Sequence, residues 1–174
     1  ISWVVGLSGG KDSTALTMLL LETMEQLPPP IRKRKQVFVT CVNTLVEAPP
    51  VINHVHAFID NLKAYVRDRD LPVEVVELVP DMSQTFWVNL IGRGYPTPVR
   101  EFRWCTDRMK VRPAMDFIKE NVEIFGDPPV VHFLLGTRYD ESISRQRTME
   151  AHTNLGSDIH NHGTIPTAGV IRPI

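Results

Sequence analysis

Apolar residues in this chain fall into two rhythms that take turns. Ile1-Ser2-Trp3-Val4-Val5-Gly6-Leu7 is a short, β-branched run bounded by glycine, which predicts a buried strand. Ala15, Leu16, Leu19 and Leu20 then recur at helical spacing in a segment ending near Leu27, where Pro28-Pro29-Pro30 breaks the helix. Arg32-Lys33-Arg34-Lys35 reads as an exposed basic turn, and Gln36 to Val42 as a second strand. After Pro49-Pro50, Val51, Val55, Phe58, Ile59, Leu62 and Val66 mark one face of a helix. Val73 to Val79 predicts a third strand, Asp107 to Asn121 a helix, and Val130 to Leu135 a fourth strand. Between the last strand of that first trio and the later helix, Pro80 to Cys105 is irregular, aromatic and rich in arginine. Ala151 to Thr164 is polar and reads as a mobile loop, and Gly169 to Ile171 as a last short strand.

Strands alternating with helices predict an α/β fold: a parallel sheet with helices on both faces, joined by right-handed crossovers. In such sheets ligands bind at the carboxyl ends of the strands, near the point where strand order reverses. Four informative segments follow those ends: the loop after Leu7, Asn43-Thr44, the arginine-rich stretch, and Gly136-Thr137-Arg138. No internal repeat interrupts the pattern.

Length and composition narrow this further. The 174 residues suffice for one domain over 1–174 with a sizeable core, and 43% hydrophobic residues is ordinary for a globular chain. The chain lacks an initiator Met and starts inside its first strand, so the expectation is an ordered core of a longer protein. No apolar run is long enough to span a bilayer, and no signal peptide is evident. Two cysteines, Cys41 and Cys105, do not make a disulfide framework, which fits a cytoplasmic setting. The net charge of −1 says little, because the cations are clustered.

The strongest chemical signal is Ser8-Gly9-Gly10-Lys11-Asp12-Ser13. Glycines there reach positive φ and put no Cβ between backbone and ligand. The free N–H groups and the dipole of a helix start favour phosphate, Lys11 adds a point charge, and the Ser8 and Ser13 hydroxyls add hydrogen bonds. Walker A loops need four residues between the first glycine and Gly-Lys-Ser/Thr; here the lysine follows Gly-Gly at once. The string resembles the PP-loop, Ser-Gly-Gly-x-Asp-Ser, of the ATP pyrophosphatases. That resemblance implies ATP cleavage between the α- and β-phosphates, adenylation of a substrate and release of pyrophosphate. A related branch, the PAPS reductases, binds an adenylyl sulfate instead.

Several further groups are candidates. Asn43 and Thr44 follow strand two and suit nucleotide contact or a plain turn; PAPS reductase-like proteins carry Asp-Thr there, so Asn43 departs from the pattern and Glu47 is the alternative carboxylate. Arg93, Arg100, Arg103, Arg108, Lys110 and Arg112 place six cations within twenty residues, partly offset by Glu101 and Asp107. Guanidinium forks suit phosphates, and the interleaved Phe, Trp and Tyr either stack on bases or pack on the sheet, the second reading being favoured. Trp104-Cys105-Thr106 with Lys110 resembles a PAPS reductase-like segment, making Cys105 a redox thiol, a sulfur acceptor, an iron–sulfur ligand or an inert thiol. Gly136-Thr137-Arg138 with Glu141, Arg145 and Arg147 resembles a PP-loop string at the nucleotide edge; it implies phosphate contact by Arg138 and Arg145, and Glu141 on a guanidinium or Mg²⁺. His152, His160 and His162 lie in a Ser/Asn/Gly-rich segment and read as loop rather than metal site.

Taken in order, Gly-Leu-Ser-Gly-Gly-Lys-Asp-Ser, Asn-Thr-Leu-Val-Glu, Phe-Trp-Val-Asn-Leu-Ile-Gly-Arg-Gly-Tyr-Pro, Phe-Arg-Trp-Cys-Thr and Gly-Thr-Arg…Glu-Ser resemble the DndC family of DNA-phosphorothioation ATP pyrophosphatases and its SspD counterpart. The resemblance runs from Val5 to about Arg147. It implies ATP and Mg²⁺ as cofactors, Lys11, Asp12, Ser13 and Arg138 as catalytic residues, and nucleotide contacts by Ser8 to Ser13, Asn43, Thr44 and Gly136 to Arg138. It also implies DNA phosphate contacts by Arg93, Arg100, Arg103, Arg108, Lys110 and Arg145. A [4Fe–4S] cluster is implied with Cys105 as one ligand, and the implied partners are DNA, a cysteine desulfurase and other phosphorothioation proteins. A PAPS-type reductase and a non-catalytic nucleotide-binding scaffold are the competing readings.

Overall fold

The computed structural model describes residues 1–99 and 102–136 in full, and the backbone of Ile159–Asn161 and Ala168–Ile171. Strand β1 (Ser2–Leu7) leads into helix α1 (Lys11–Gln26), a one-turn helix α2 (Pro29–Arg32) and strand β2 (Val37–Val42). Helix α3 (Pro49–Asp68) and strand β3 (Val73–Leu78) complete the second unit. A 3₁₀ turn (Met82–Gln84) and a wide π-type turn (Val88–Gly92) follow, then α4 (Trp104–Thr106), a second π-type turn (Asp107–Val111), α5 (Arg112–Glu120) and α6 (Val122–Phe125). Strands β4 (Val131–Leu135), β5 (Ile159–Asn161) and β6 (Ala168–Ile171) finish the sheet.

The sheet order is β3-β2-β1-β4-β6-β5. Every pairing is parallel except β5 with β6. The chain steps outward from β1 to β2 and β3, then returns to the other side of β1 with β4, so the order reverses between β1 and β4. The expected α/β sheet is therefore present, with its switch point directly above the Ser8–Ser13 loop.

Period-two alternation divides the strands between two cores. Val5, Leu7, Val39 and Cys41 face α1 and α3, packing with Leu16, Leu20, Leu21, Met24, Ile59 and Leu62. Val4, Phe38, Val131 and Phe133 face α5 and α6, packing with Ala114, Met115, Ile118 and Phe125. Phe38 meets Phe117 and Phe125 edge-on, with ring centres 5.8 and 5.2 Å apart. Helices thus cover both faces, as expected for a parallel sheet.

Three details differ from the sequence reading. The buried stripe of α1 runs through Ser13, Leu16, Thr17, Leu20, Leu21 and Met24, while Leu19 is 53% exposed. Thr17 can be fully buried because its hydroxyl donates to the Ser13 carbonyl at 2.8 Å. The helix expected from Asp107 begins at Trp104 and is widened at Asp107–Val111, just ahead of Pro113, which has no N–H to offer the carbonyl four residues back. Finally, β5 falls inside the stretch 151–164 that was expected to be a loop; the rest of that stretch, with His152 and His162, lies outside the described residues.

Candidate functional site

The loop between β1 and α1 is shaped by two glycines and one serine. Gly9 sits at φ +73°, and a Cβ there would stand 2.9 Å from Val55 Cγ2 on α3. Gly10 is the N-cap of α1 in an extended conformation with no side-chain cap, so the N–H groups that open the helix have no carbonyl one turn back. Ser13, buried in the first turn, closes the loop from below. Its Oγ accepts from the Ser8 N–H at 3.1 Å, lies 3.0 Å from the Ser8 hydroxyl, and donates to the Gly10 carbonyl at 3.1 Å. With its proton committed to Gly10, Ser13 braces the cradle, and Ser8 and Lys11 are the exposed polar side chains at its mouth.

Gly136, directly after β4, presses against this turn. A Cβ there would lie 2.6 Å from the Asp12 carbonyl oxygen and 2.8 Å from the Ser13 nitrogen. Two strand ends thus meet with no side chain between them, on the reversed side of the strand order.

Beside the loop a cavity of about 500 Å³ opens at the carboxyl edge of the sheet. Its polar lining comes from Ser8, Lys11, Asp12, Thr40, Glu47 and Lys110, and its apolar wall from Ala114, Met115, Phe133 and Leu135. The apolar wall on α5 and β4 was not singled out from the sequence; its only signal there was the helical and strand periodicity of those segments. A volume of this size suits a nucleotide-sized ligand with one apolar and one charged end.

Asn43 and Thr44 have roles in shaping this edge. Asn43 Oδ1 accepts from the Leu45 N–H at 3.0 Å in a tight turn with Leu45 at φ +64°. Asn43 Nδ2 donates to Glu77 Oε1 at 3.0 Å, and His56 Nε2 lies 3.1 Å from the same oxygen. Partial burial works to raise Glu77, but these Asn43 and His56 bonds hold its carboxyl below the usual carboxylate range. Buried Thr44 donates to Glu47 Oε1 at 2.6 Å. Glu47 Oε2 is buried without a partner among the described residues, and Glu47 lines the cavity. A carboxylate oxygen in that state fits a cation or a ligand hydroxyl. With Asp12 it is the donor set a nucleotide-bound Mg²⁺ would meet.

The cations of the arginine-rich stretch divide into separate groups. Arg108 donates to Gln84 Oε1 and to the Tyr95 hydroxyl at 2.7 Å, and its guanidinium lies over the Tyr95 ring. Arg93 reaches Asn89 Oδ1 at 3.2 Å and Gln84 Oε1 at 3.4 Å. Both arginines tie the connection together through Gln84, a residue the sequence did not single out. Arg112 pairs with Asp107 at 2.9 Å. Lys110 enters the cavity and Arg103 is exposed. Arg100, Thr137, Arg138, Glu141, Arg145 and Arg147 lie outside the described residues.

The aromatics of this stretch pack on one another rather than on the sheet. Phe86 stacks on buried Trp104 with ring centres 5.4 Å apart, Tyr95 meets Trp104 edge-on at 5.5 Å, and Trp104 Nε1 donates to the Pro96 carbonyl at 2.9 Å. A second cavity of about 520 Å³ adjoins this stretch at the carboxyl end of β3. Glu77, Asp81, Asp116 and Glu120 outnumber Arg108 and Arg112 in its lining, which disfavours a polyanion there.

A [4Fe–4S] cluster takes about four thiolates. This chain has two cysteines, and no group of three or more His, Cys, Asp or Glu side chains that could hold a metal occurs among the described residues. Burial, reinforced by the Glu77 and Glu47 carboxylates, pushes the Cys41 thiol up to about 11, the wrong direction for a thiolate ligand. A cluster held by Cys105 would therefore draw its other thiolates from outside these 174 residues, and within them Cys105 is a half-buried free thiol. At pH 8 iodoacetamide is expected to alkylate Cys105 and leave Cys41 unmodified until the protein is unfolded. Peptide mass spectrometry reads this directly, and equal labelling of both thiols in the native protein would contradict the assignment.

Among the described residues no helix is long and apolar enough to cross a membrane. No protein-family model matches the chain. An uncharacterised protein of Methanocaldococcus jannaschii is 26% identical over 151 residues, covering 87% of this chain and 26% of that protein. Among solved structures, the U34-tRNA thiolase NcsA from Methanococcus maripaludis, with its [4Fe-4S] cluster, is similar at a TM-score of 0.51 and 18% identity. That likeness covers 99% of this chain and 52% of the thiolase chain. This chain therefore spans about a quarter of the curated relative and about half of the solved one. At such identity the likeness speaks for the fold alone: the chain has the largely parallel α/β fold expected from its sequence, and the thiolase shares it.

Proposed function

We propose that this domain holds ATP by its phosphates on the Ser8–Ser13 loop, cleaves it to AMP and pyrophosphate, and so activates a DNA backbone phosphate for sulfur incorporation. The observation that carries the nucleotide half is the pinned glycine loop, with its open helix N-terminus, on the rim of a nucleotide-sized cavity at the switch point. The DNA half rests on the resemblance of the whole motif series to the DndC and SspD families.

The chemistry follows from leaving groups. A non-bridging phosphate oxygen of DNA attacks the α-phosphorus of ATP, the α–β bridge breaks, and pyrophosphate departs. The acceptor oxygen, now joined to AMP, leaves as AMP when the terminal sulfur of a protein persulfide, loaded by a cysteine desulfurase, attacks the DNA phosphorus; a second thiol then cleaves the S–S bond of that adduct, forming a disulfide with the carrier cysteine and leaving the phosphorothioate. Lys11 and the backbone N–H groups at the start of α1 stabilise the charge that builds on pyrophosphate. Mg²⁺ bound with the nucleotide supplies further charge neutralisation, and Glu47 and Asp12 are the carboxylates placed to hold it. Lys110, which also lines the cavity, is the cation we assign to the acceptor or the α-phosphate. The reaction is expected to be cytoplasmic.

Purified protein given ATP and Mg²⁺ is expected to release pyrophosphate, with AMP freed by water when DNA is absent and retained on the DNA phosphate when DNA is present without a sulfur donor. Release of orthophosphate and ADP would overturn the cleavage site. Reduction of PAPS in the presence of thioredoxin, with ATP untouched, would favour the reductase reading. Tight nucleotide binding with neither reaction would favour a scaffold.

A further inference from the structure

The aromatic connection does more than fill space: one of its faces is left open. The turn Val88–Gly92 buries Asn89, whose Nδ2 donates to the Thr85 carbonyl at 2.9 Å, and thereby turns Trp87, Val88 and Ile91 outward. Trp87 is 57% exposed and Ile91 76%. Such large apolar side chains side by side on one exposed turn call for an occupant.

Trp87 is not a loose side chain. Its ring stands edge-on to Phe86 at 5.1 Å and 88°, Phe86 stacks on buried Trp104, and Tyr95 meets Trp104 edge-on. The exposed indole is thus the outer member of a braced aromatic stack. Phe102, two residues before Trp104, is also exposed.

Among the described residues, cations lead the charge of this stretch. From Met82 to Thr106 the described residues include Arg93 and Arg103, both exposed, and no carboxylate. Asp81 and Asp107 bound the stretch, the first bonded to Ser83 and within the field of Arg93, the second to Arg112, which leaves Arg103 with no carboxylate partner in an ion pair among the described residues. A rigid exposed indole flanked by guanidinium groups matches a polyanion with planar faces, which is the chemistry of unpaired bases on a phosphate backbone.

We infer that the Trp87–Ile91 face, with Arg93 and Arg103, is a stacking platform for single-stranded DNA. The inference rests on the proposed acceptor and refines it: the strand reaches the nucleotide site with bases unpaired on Trp87. A duplex hides its base faces and offers Trp87 nothing to stack on.

The test titrates the protein with fluorescein-labelled oligodeoxynucleotides by anisotropy, using single strands, the matching duplex and RNA of the same sequence. The expected result is preference for the DNA single strand, about tenfold loss of that affinity in Trp87→Ala, and recovery in Trp87→Phe. Arg93 also braces Gln84, so Arg103→Ala is the cleaner charge variant; it should weaken binding and flatten its salt dependence. A circular dichroism melt of each variant keeps misfolding from passing as lost binding. Stronger binding of duplex or RNA, or affinity indifferent to Trp87, would overturn the platform and leave a protein as the occupant of this face. ATP cleavage without DNA is expected to be unchanged in Trp87→Ala. A failure of that cleavage in the parent protein counts against the proposed reaction, whereas a failure of oligonucleotide binding counts against the platform.

Discussion

Lys11→Ala is expected to reduce pyrophosphate release from ATP by about 10²–10³-fold, the loss typical of removing one charge-stabilising group at a reacting phosphate. Stability should hardly change. Lys11 is exposed at the first position of α1, and substitutions at such positions usually stay within about 0.5 kcal/mol. Lys11→Arg should recover little, because a planar fork does not reproduce a compact ammonium aimed into a narrow loop. The measurements are single-turnover pyrophosphate release beside a urea melt. An Ala variant that turned over at the parent rate would remove Lys11 from the chemistry and with it the reading of the loop as a cleavage site.

A second large effect is expected at Gly136, for the opposite reason. Here the added group meets backbone: the Asp12 oxygen at 2.6 Å, the Asp12 carbon at 2.7 Å and the Ser13 nitrogen at 2.8 Å. None of these can rotate aside, so Gly136→Ala must push the first turn of α1 away from β4. The expected cost is about 1–3 kcal/mol of stability, as for overpacking elsewhere, together with loss of nucleotide affinity because the cradle is carried on that turn. Gly92→Ala is the control, since its Cβ would meet only Val88 Cγ1 at 3.9 Å. Urea denaturation and binding of a non-hydrolysable ATP analogue check both. Parent-like stability and affinity in Gly136→Ala would show that the two segments are not held as described.

Much of this was legible in the letters. The β1 run, the Gly-Gly turn and the proline-led start of α3 each have a local cause, and local causes survive folding. Phase was harder. On α1, Leu19 looked like core and Thr17 did not, yet the loop geometry fixes the rotation of the helix and the Ser13 carbonyl silences the Thr17 hydroxyl. In the arginine-rich stretch, composition did not show how the cations are held. Arg93 and Arg108 carry charge, but Gln84 and Tyr95 hold them, and such partners are set by tertiary approach across up to 24 positions of sequence. Glu47 shows the reverse: the sequence offered it only as a substitute for a missing aspartate, and its unpartnered oxygen on the cavity wall makes it the more telling carboxylate.

The two glycine contacts bear on how such loops should be compared between proteins. Gly9 fits beneath Val55 and Gly136 against Asp12 because the fold needs those approaches, whether or not a nucleotide ever arrives. A descendant that had lost all catalysis would still have to keep both to fold. Lys11 takes no part in either contact and is free to drift once its chemistry is no longer selected. Among relatives of this chain, then, the two glycines are the letters expected to persist whether or not a nucleotide is cleaved.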